Sequence, residues 1–209
     1  MTGLGMDIDF SQLSANQAYF TMTQAILPRP VAWVLSEHGN GEYNLAPFSY
    51  FSAVCSDPPM IMISIGHKPD GSLKDTYRNI VERNNFVVHL AHSDQAEAVT
   101  LTARTLAEGE SEVALAGLDL VPFTNSVLPR VEGARIALDC ELHEVKEIGN
   151  KPQFLVFGRV KNLFVDDVAV TTDAKGRMKI AADKVDPLGR LGGSEYVTFG
   201  DILHIPREV

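Results

Sequence analysis

Cysteine is almost missing from this chain of 209 residues. Cys55 and Cys140 are far apart and form no CxxC, which excludes a disulfide framework and a thiolate metal site. The expectation is two buried thiols in a reducing cytoplasm, with a redox pair or a reactive thiol as the alternative. Basic excess is missing too. Lys and Arg number 18 against 27 Asp and Glu, a net charge of −9, so neither nucleic acid nor an anionic membrane is an expected partner. No apolar run approaches the roughly 20 residues of a spanning helix. The start, MTGLGMDIDF, has no basic region followed by an apolar one, so no secretory signal is expected there. GxGxxG after a strand is absent, which leaves a dinucleotide Rossmann turn unsupported, and so is the GxSxG of a triad hydrolase. His89-Leu90-Ala91-His92 is an HxxH in which extended chain sends the two rings to opposite faces. With no third ligand indicated, no metal site is assigned.

What remains is ordinary globular material, 45% apolar and 22% charged, enough for one domain with a sizeable core. Ser14 and Gln17 have the spacing of a capping box, and a short helix follows until Pro28-Arg29-Pro30 stops it. Val31–Ser36 reads as a strand, Gly39-Asn40-Gly41 as a hairpin turn, and Leu45–Val54 as the partner strand. Asp57-Pro58-Pro59 separates it from Met60–Ile65. A helix start at Ser72 to Asp75 runs to about residue 83. Phe86–Leu90 is a strand, and Ser93–Leu106 a helix capped by Ser93. Glu108–Leu118 is a weak connector. Ala134–Glu147 and Phe154–Val165 are long strands joined by a turn at Gly149-Asn150-Lys151-Pro152. Hairpin signals between strands favour antiparallel pairing, and continuous apolar runs fit a small closed barrel with peripheral helices.

Four stretches carry a family likeness: ILPRPVAWVLS, YNLAPFSYFSAVCSDPPMIMISIG, KDTYRNI and RLGGSEY. In this order they resemble the flavin reductase-like family with the FMN-binding split barrel, across about residues 14–200. The resemblance implies a mainly β fold with peripheral helices, a six-stranded antiparallel Greek-key split barrel. It also implies a single domain over 1–209, with a helix at about 14–27, a barrel core at about 30–165, and a C-terminal segment at about 166–209 on the barrel or a partner subunit. FMN at a homodimer interface (FAD being the alternative flavin), NADH or NADPH as electron donor, a cytoplasmic location and a partner oxygenase for released reduced flavin complete what it implies. The competing readings are an FMN-binding electron carrier without nicotinamide activity and a regulatory module that binds no flavin.

The residues themselves say where a flavin would go. Lys74 offers a point charge, Thr76 a hydroxyl, and the start of the helix its unpaired amides, the parts a phosphomonoester needs. Asp75 would repel phosphate, so its expected task is to cap the helix or hold Lys74; Asn79 lies one turn on. Backbone amides near Ala46–Ser49, a run that includes Pro47, the Ser49 hydroxyl and the Asn44 side-chain amide would meet the polar edge of the ring. Strict alternation would put Phe48, Tyr50 and Ser52 on one face and Pro47, Ser49 and Phe51 on the other. Arg29 would meet a phosphate or a ring carbonyl, while Trp33 is read as packing. Ser64 and Gly66 end a strand where a ligand could approach the backbone. Arg190, in the Gly-rich tail, would reach a phosphate or make a structural pair. No catalytic proton-transfer residue is marked.

Overall fold

The computed structural model describes residues 5–206; the outermost residues of the expected 1–209 unit lie outside them. Seven strands form the main sheet: β1 (Ala32–Glu37), β2 (Tyr43–Phe48), β3 (Phe51–Ser56), β4 (Pro59–Ile65), β5 (Asn85–Leu90), β6 (Ile136–Ile148) and β7 (Gln153–Val165). Their order is β2-β1-β5-β6-β7-β4-β3 with every pair antiparallel. The fold is mainly β with peripheral helices, as expected, but with seven strands rather than six.

The seventh strand comes from a corner that periodicity does not show. Leu45–Val54 reads as one strand, yet it breaks at Ser49-Tyr50, and its halves β2 and β3 lie on opposite edges of the sheet. Three residues of chain reach no more than about 11 Å, so the sheet must curl until its edges meet. The break also resets the alternation. Phe48 and Phe51 both pack into the cluster of Val34, Ile63, Phe86 and Val156 instead of facing opposite ways. β1 runs buried on both faces, whereas β3 is exposed from Ser52 to Ser56. Cys55 is therefore exposed, against expectation, and only Cys140 is a buried thiol.

The helices lie at the periphery of the sheet. α1 (Ala15–Ala25) begins with the capping box of Ser14 and Gln17. α2 (Asp75–Arg83) buries Asp75, Thr76, Asn79 and Ile80. α3 (Ala96–Leu101) is shorter than expected. Ser93 does not cap it but gives its hydroxyl to Asp186. α4 (Glu112–Leu115) lies against β2, where Ser111 donates to the Tyr43 carbonyl at 2.6 Å. Among the described residues no helix is long and apolar enough to cross a membrane.

One buried histidine ties the barrel to the chain outside it. His89 is fully buried; its Nδ1 lies 3.0 Å from the Trp33 carbonyl, and its Nε2 accepts the Val131 amide at 3.0 Å. Val131 can only donate, so the ring is the neutral form with its proton on Nδ1. Burial, helped by Arg130 and opposed by the Trp33 carbonyl, holds its pKa at about 4 against 6.5. Above pH 6.5 the ring is neutral folded or unfolded. Below that the unfolded chain gains a proton the native state refuses, so stability falls by about 1.4 kcal/mol per pH unit. The expected total is roughly 3 kcal/mol by the folded pKa of about 4. Urea unfolding at several pH values checks this. His89→Gln should be less stable near neutral pH but show a shallower decline; equal slopes would contradict the assignment.

Candidate functional site

The start of α2 has no side-chain cap. Lys74 occupies the capping position without a capping hydrogen bond, and the first intrahelical bond runs from the Arg78 amide to the Lys74 carbonyl at 3.1 Å. The amides of Asp75, Thr76 and Tyr77 therefore precede the hydrogen-bonded ladder. They open beside a cavity of about 200 Å³ lined by Asn44, Ala46 and Pro47 of β2, by Lys68, by Lys74, Asp75 and Thr76, by Thr102–Leu106, and by Glu112.

Asp75 neither caps α2 nor holds Lys74. Its Oδ2 pairs with Lys68 Nζ at 2.7 Å, and Arg78 stands 3.6 Å from Oδ1. Oδ1 is buried without a hydrogen-bond partner. The Ser72 of the expected helix start turns back to Asp70 through its amide and hydroxyl. With Asp75 committed to Lys68, the Lys74 ammonium is left free. Among the described residues it makes no hydrogen bond or salt bridge, and its nearest aromatic is Phe48, 5.8 Å from Nζ to the ring centroid. Burial lowers its pKa first and repulsion from Lys68 second, with Asp75 opposing both. Thr76 is buried and accepts from Asn44 Nδ2 at 2.9 Å, which leaves its hydroxyl proton available.

Three lining groups carry no mark in the sequence. Lys68 lies in a turn before the helix. Arg104 falls inside the stretch read as helix to Leu106, and Glu112 inside the weak connector. Trp33 explains the second case. Its indole donates to Thr102 Oγ1 at 2.9 Å, and that hydroxyl donates to the Val99 carbonyl. α3 therefore ends at Leu101 and the chain turns along the cavity. Trp33 is wholly buried, so packing is its role. Arg104 is an exposed residue on the cavity rim, and its guanidinium has no hydrogen-bond or salt-bridge partner among the described residues.

Thus the structure brings Asn44, Ala46, Pro47, Lys74, Asp75 and Thr76 together, while the other expected residues do not line this cavity. Ser49 sits at the β2–β3 corner and accepts from Arg29 Nε at 3.3 Å. Arg29 is buried, and its Nη1 donates to the Thr23 and Ile26 carbonyls at 2.5 and 2.8 Å and its Nη2 to the Leu191 carbonyl at 2.9 Å. That guanidinium is spent on the protein. Ser64 pairs within the sheet opposite Leu155. The space beside Gly66 is filled by Gln153, 2.9 Å from where a Cβ would stand. Asn79 turns inward to Ser36 and His38. Arg190 lies over the Tyr196 ring at 4.5 Å and donates to the Gly193 carbonyl.

An uncapped helix start, two free cations and a buried acceptor without a donor fit a phosphorylated ligand bearing hydroxyls. The residues present therefore fit the FMN that the resemblance implies.

A family model described as flavin reductase like domain matches residues 23–181. The chain is 33% identical to nitrilotriacetate monooxygenase component B from Bacillus cereus, over 98% of this chain and 100% of that one, with a TM-score of 0.88. It is 30% identical to the 2-nitrobenzoate 2-nitroreductase of Pseudomonas fluorescens, over 97% and 96%, with a TM-score of 0.86. A Shewanella frigidimarina protein described as having a split barrel domain is 19% identical over 98% and 100%, and its TM-score of 0.83 shows the same fold.

Proposed function

The chain belongs to the flavin reductase-like family, and we propose that it is an FMN-binding oxidoreductase that takes electrons from NADH or NADPH. The observation that carries this reading is the uncapped start of α2 facing Lys74 and Arg104, both without protein partners among the described residues. Lys74, Arg104, the Thr76 hydroxyl and the amides of Asp75 to Tyr77 would hold the phosphate. Asp75 Oδ1 would accept a ribityl hydroxyl, and the β2 end from Ala46 to Ser49 would hold the polar ring edge. FMN is favoured over FAD because its charged group ends the molecule, as a cavity of about 200 Å³ at the helix tip requires. Bound flavin supplies the hydride-accepting chemistry that no side chain here can provide. The chain's own part is to bind, orient and screen it.

Two partners belong to the same reading. A second copy of the chain is expected against exposed apolar residues such as Tyr19, Phe20, Tyr50 and Val54; a monomer in light scattering at micromolar concentration would contradict it. An oxygenase that consumes reduced flavin is supported by the likeness to a monooxygenase component B. A cytoplasmic location agrees with the exposed free thiol of Cys55.

The test is anaerobic mixing of the FMN-loaded protein with NADH or NADPH. Loss of the flavin absorption band within seconds is expected. A flavin that stays oxidised with both donors would leave an electron carrier. A protein that stays colourless after FMN addition and dialysis would rule out the flavin itself.

A further inference from the structure

The cavity contains an acid for which phosphate binding has no evident use. Glu112 opens α4 and is buried, and its Oε2 accepts the Leu45 amide at 3.1 Å. Its carboxyl lines the cavity with Lys68, Lys74, Asp75 and Arg104. Three cations against two carboxylates leave the walls one net positive charge. A phosphomonoester brings about two negative charges near neutral pH. Binding it brings one more negative charge than the walls offset, and added negative charge beside a carboxylate favours its protonated form.

The two acids are not equally able to relieve this. Asp75 already has an ion-pair partner in Lys68 at 2.7 Å, with Arg78 on its other side. Glu112 makes no salt bridge among the described residues; its one partner from another element is a main-chain amide. We propose that Glu112 takes up a proton from solvent when a phosphomonoester enters the cavity, which cancels the surplus charge. This inference rests on the flavin reading above. One proton moves from solvent to Glu112 per phosphate bound, no covalent bond to the ligand changes, and the neutral acid gains an O–H donor facing the cavity.

The surroundings agree with this direction. Burial already raises the Glu112 pKa; the Leu45 amide and its own amide oppose that, while Asp75 raises it further and Lys68 lowers it. The charged groups that act on it are Asp75 at the start of α2 and Lys68 from the loop after β4, and Lys74 and Arg104 line the same cavity. Nearby His38 is directed at the Glu110 carbonyl and at Asn79, and Arg78 is paired with Glu108.

Calorimetric titration of the full chain with FMN at neutral pH, in buffers of different ionisation enthalpy, reads the proton directly. We expect net uptake of about half a proton or more per FMN, and an FMN affinity that falls about threefold or more per unit as the pH is raised from neutral. Riboflavin, which lacks the phosphate, should bind without uptake. The phosphate's own second ionisation, near pH 6, can only release a proton in a cationic site, so net uptake must come from the protein. Glu112→Gln should bind FMN with the uptake and the pH slope lost. If that variant fails to fold, the wild-type measurement still exposes the inference to refutation. Zero uptake or net release by wild-type protein would overturn the inference and leave the flavin reading intact. Failure to bind FMN at all would bring down both. Uptake that persists in Glu112→Gln but disappears in Asp75→Asn would move the proton to Asp75 and overturn the assignment.

Discussion

Replacing Lys74 and Arg104 together by alanine should weaken FMN binding about a hundredfold while leaving riboflavin binding nearly unchanged. Each cation would make a charge-assisted hydrogen bond to phosphate, worth about 1.5–3 kcal/mol. Losing both costs about 3 kcal/mol, which is roughly a hundredfold in Kd. Neither side chain makes a hydrogen bond or salt bridge among the described residues, and the one further contact is Lys74 over the Phe48 ring at 5.8 Å, so neither truncation strands a buried polar group. Burial already disfavours the Lys74 charge, so its removal should not destabilise the fold. Fluorescence titration of both flavins against the double variant checks this. An equal loss for riboflavin would mean that the cavity collapsed, and no loss for FMN would mean that the phosphate lies elsewhere.

Arg29→Met should instead cost stability, by about 3–4 kcal/mol, without selectively weakening the phosphate contact. The guanidinium is buried and joins four acceptors: the Thr23 and Ile26 carbonyls around the end of α1, the Leu191 carbonyl in the tail, and Ser49 at the β2–β3 corner. Methionine fills much of the volume but leaves buried carbonyls without donors, each costing about 1–3 kcal/mol. Stability to urea and the ratio of FMN to riboflavin affinity separate the two roles. A stable variant whose affinity falls for FMN alone would return Arg29 to the phosphate.

That contrast shows what a reader of the residues can and cannot see. The capping box at Ser14 and the turn at Gly39-Asn40-Gly41 are local, so the first helix and first hairpin were legible. The grouping of Lys74, Asp75 and Thr76 on one cavity wall was legible as well, because its parts are neighbours in the chain. The corner at Ser49-Tyr50 was not, because an unbroken apolar run looks the same whether it stays in one strand or crosses between sheet edges. Arg104 was hidden for a different reason. The end of α3 depends on a bond between Trp33 and Thr102, far apart in sequence, and the propensities of residues 93–106 do not record it. Arg29 looked like a ligand for phosphate because a lone arginine between prolines carries no sign of the carbonyls that enclose it. Glu112 lies in a stretch weak in every local signal, and only the packing of α4 on β2 brings it to the cavity.

The account stands on the tip of α2 receiving the charged end of a flavin. The most direct check is a crystal structure of this chain with FMN. The phosphate should lie in the cavity bounded by Lys74, Thr76 and Arg104, within hydrogen-bond reach of the Thr76 or Tyr77 amide. A flavin whose phosphate sits elsewhere on the barrel, with that cavity holding only water, would contradict it.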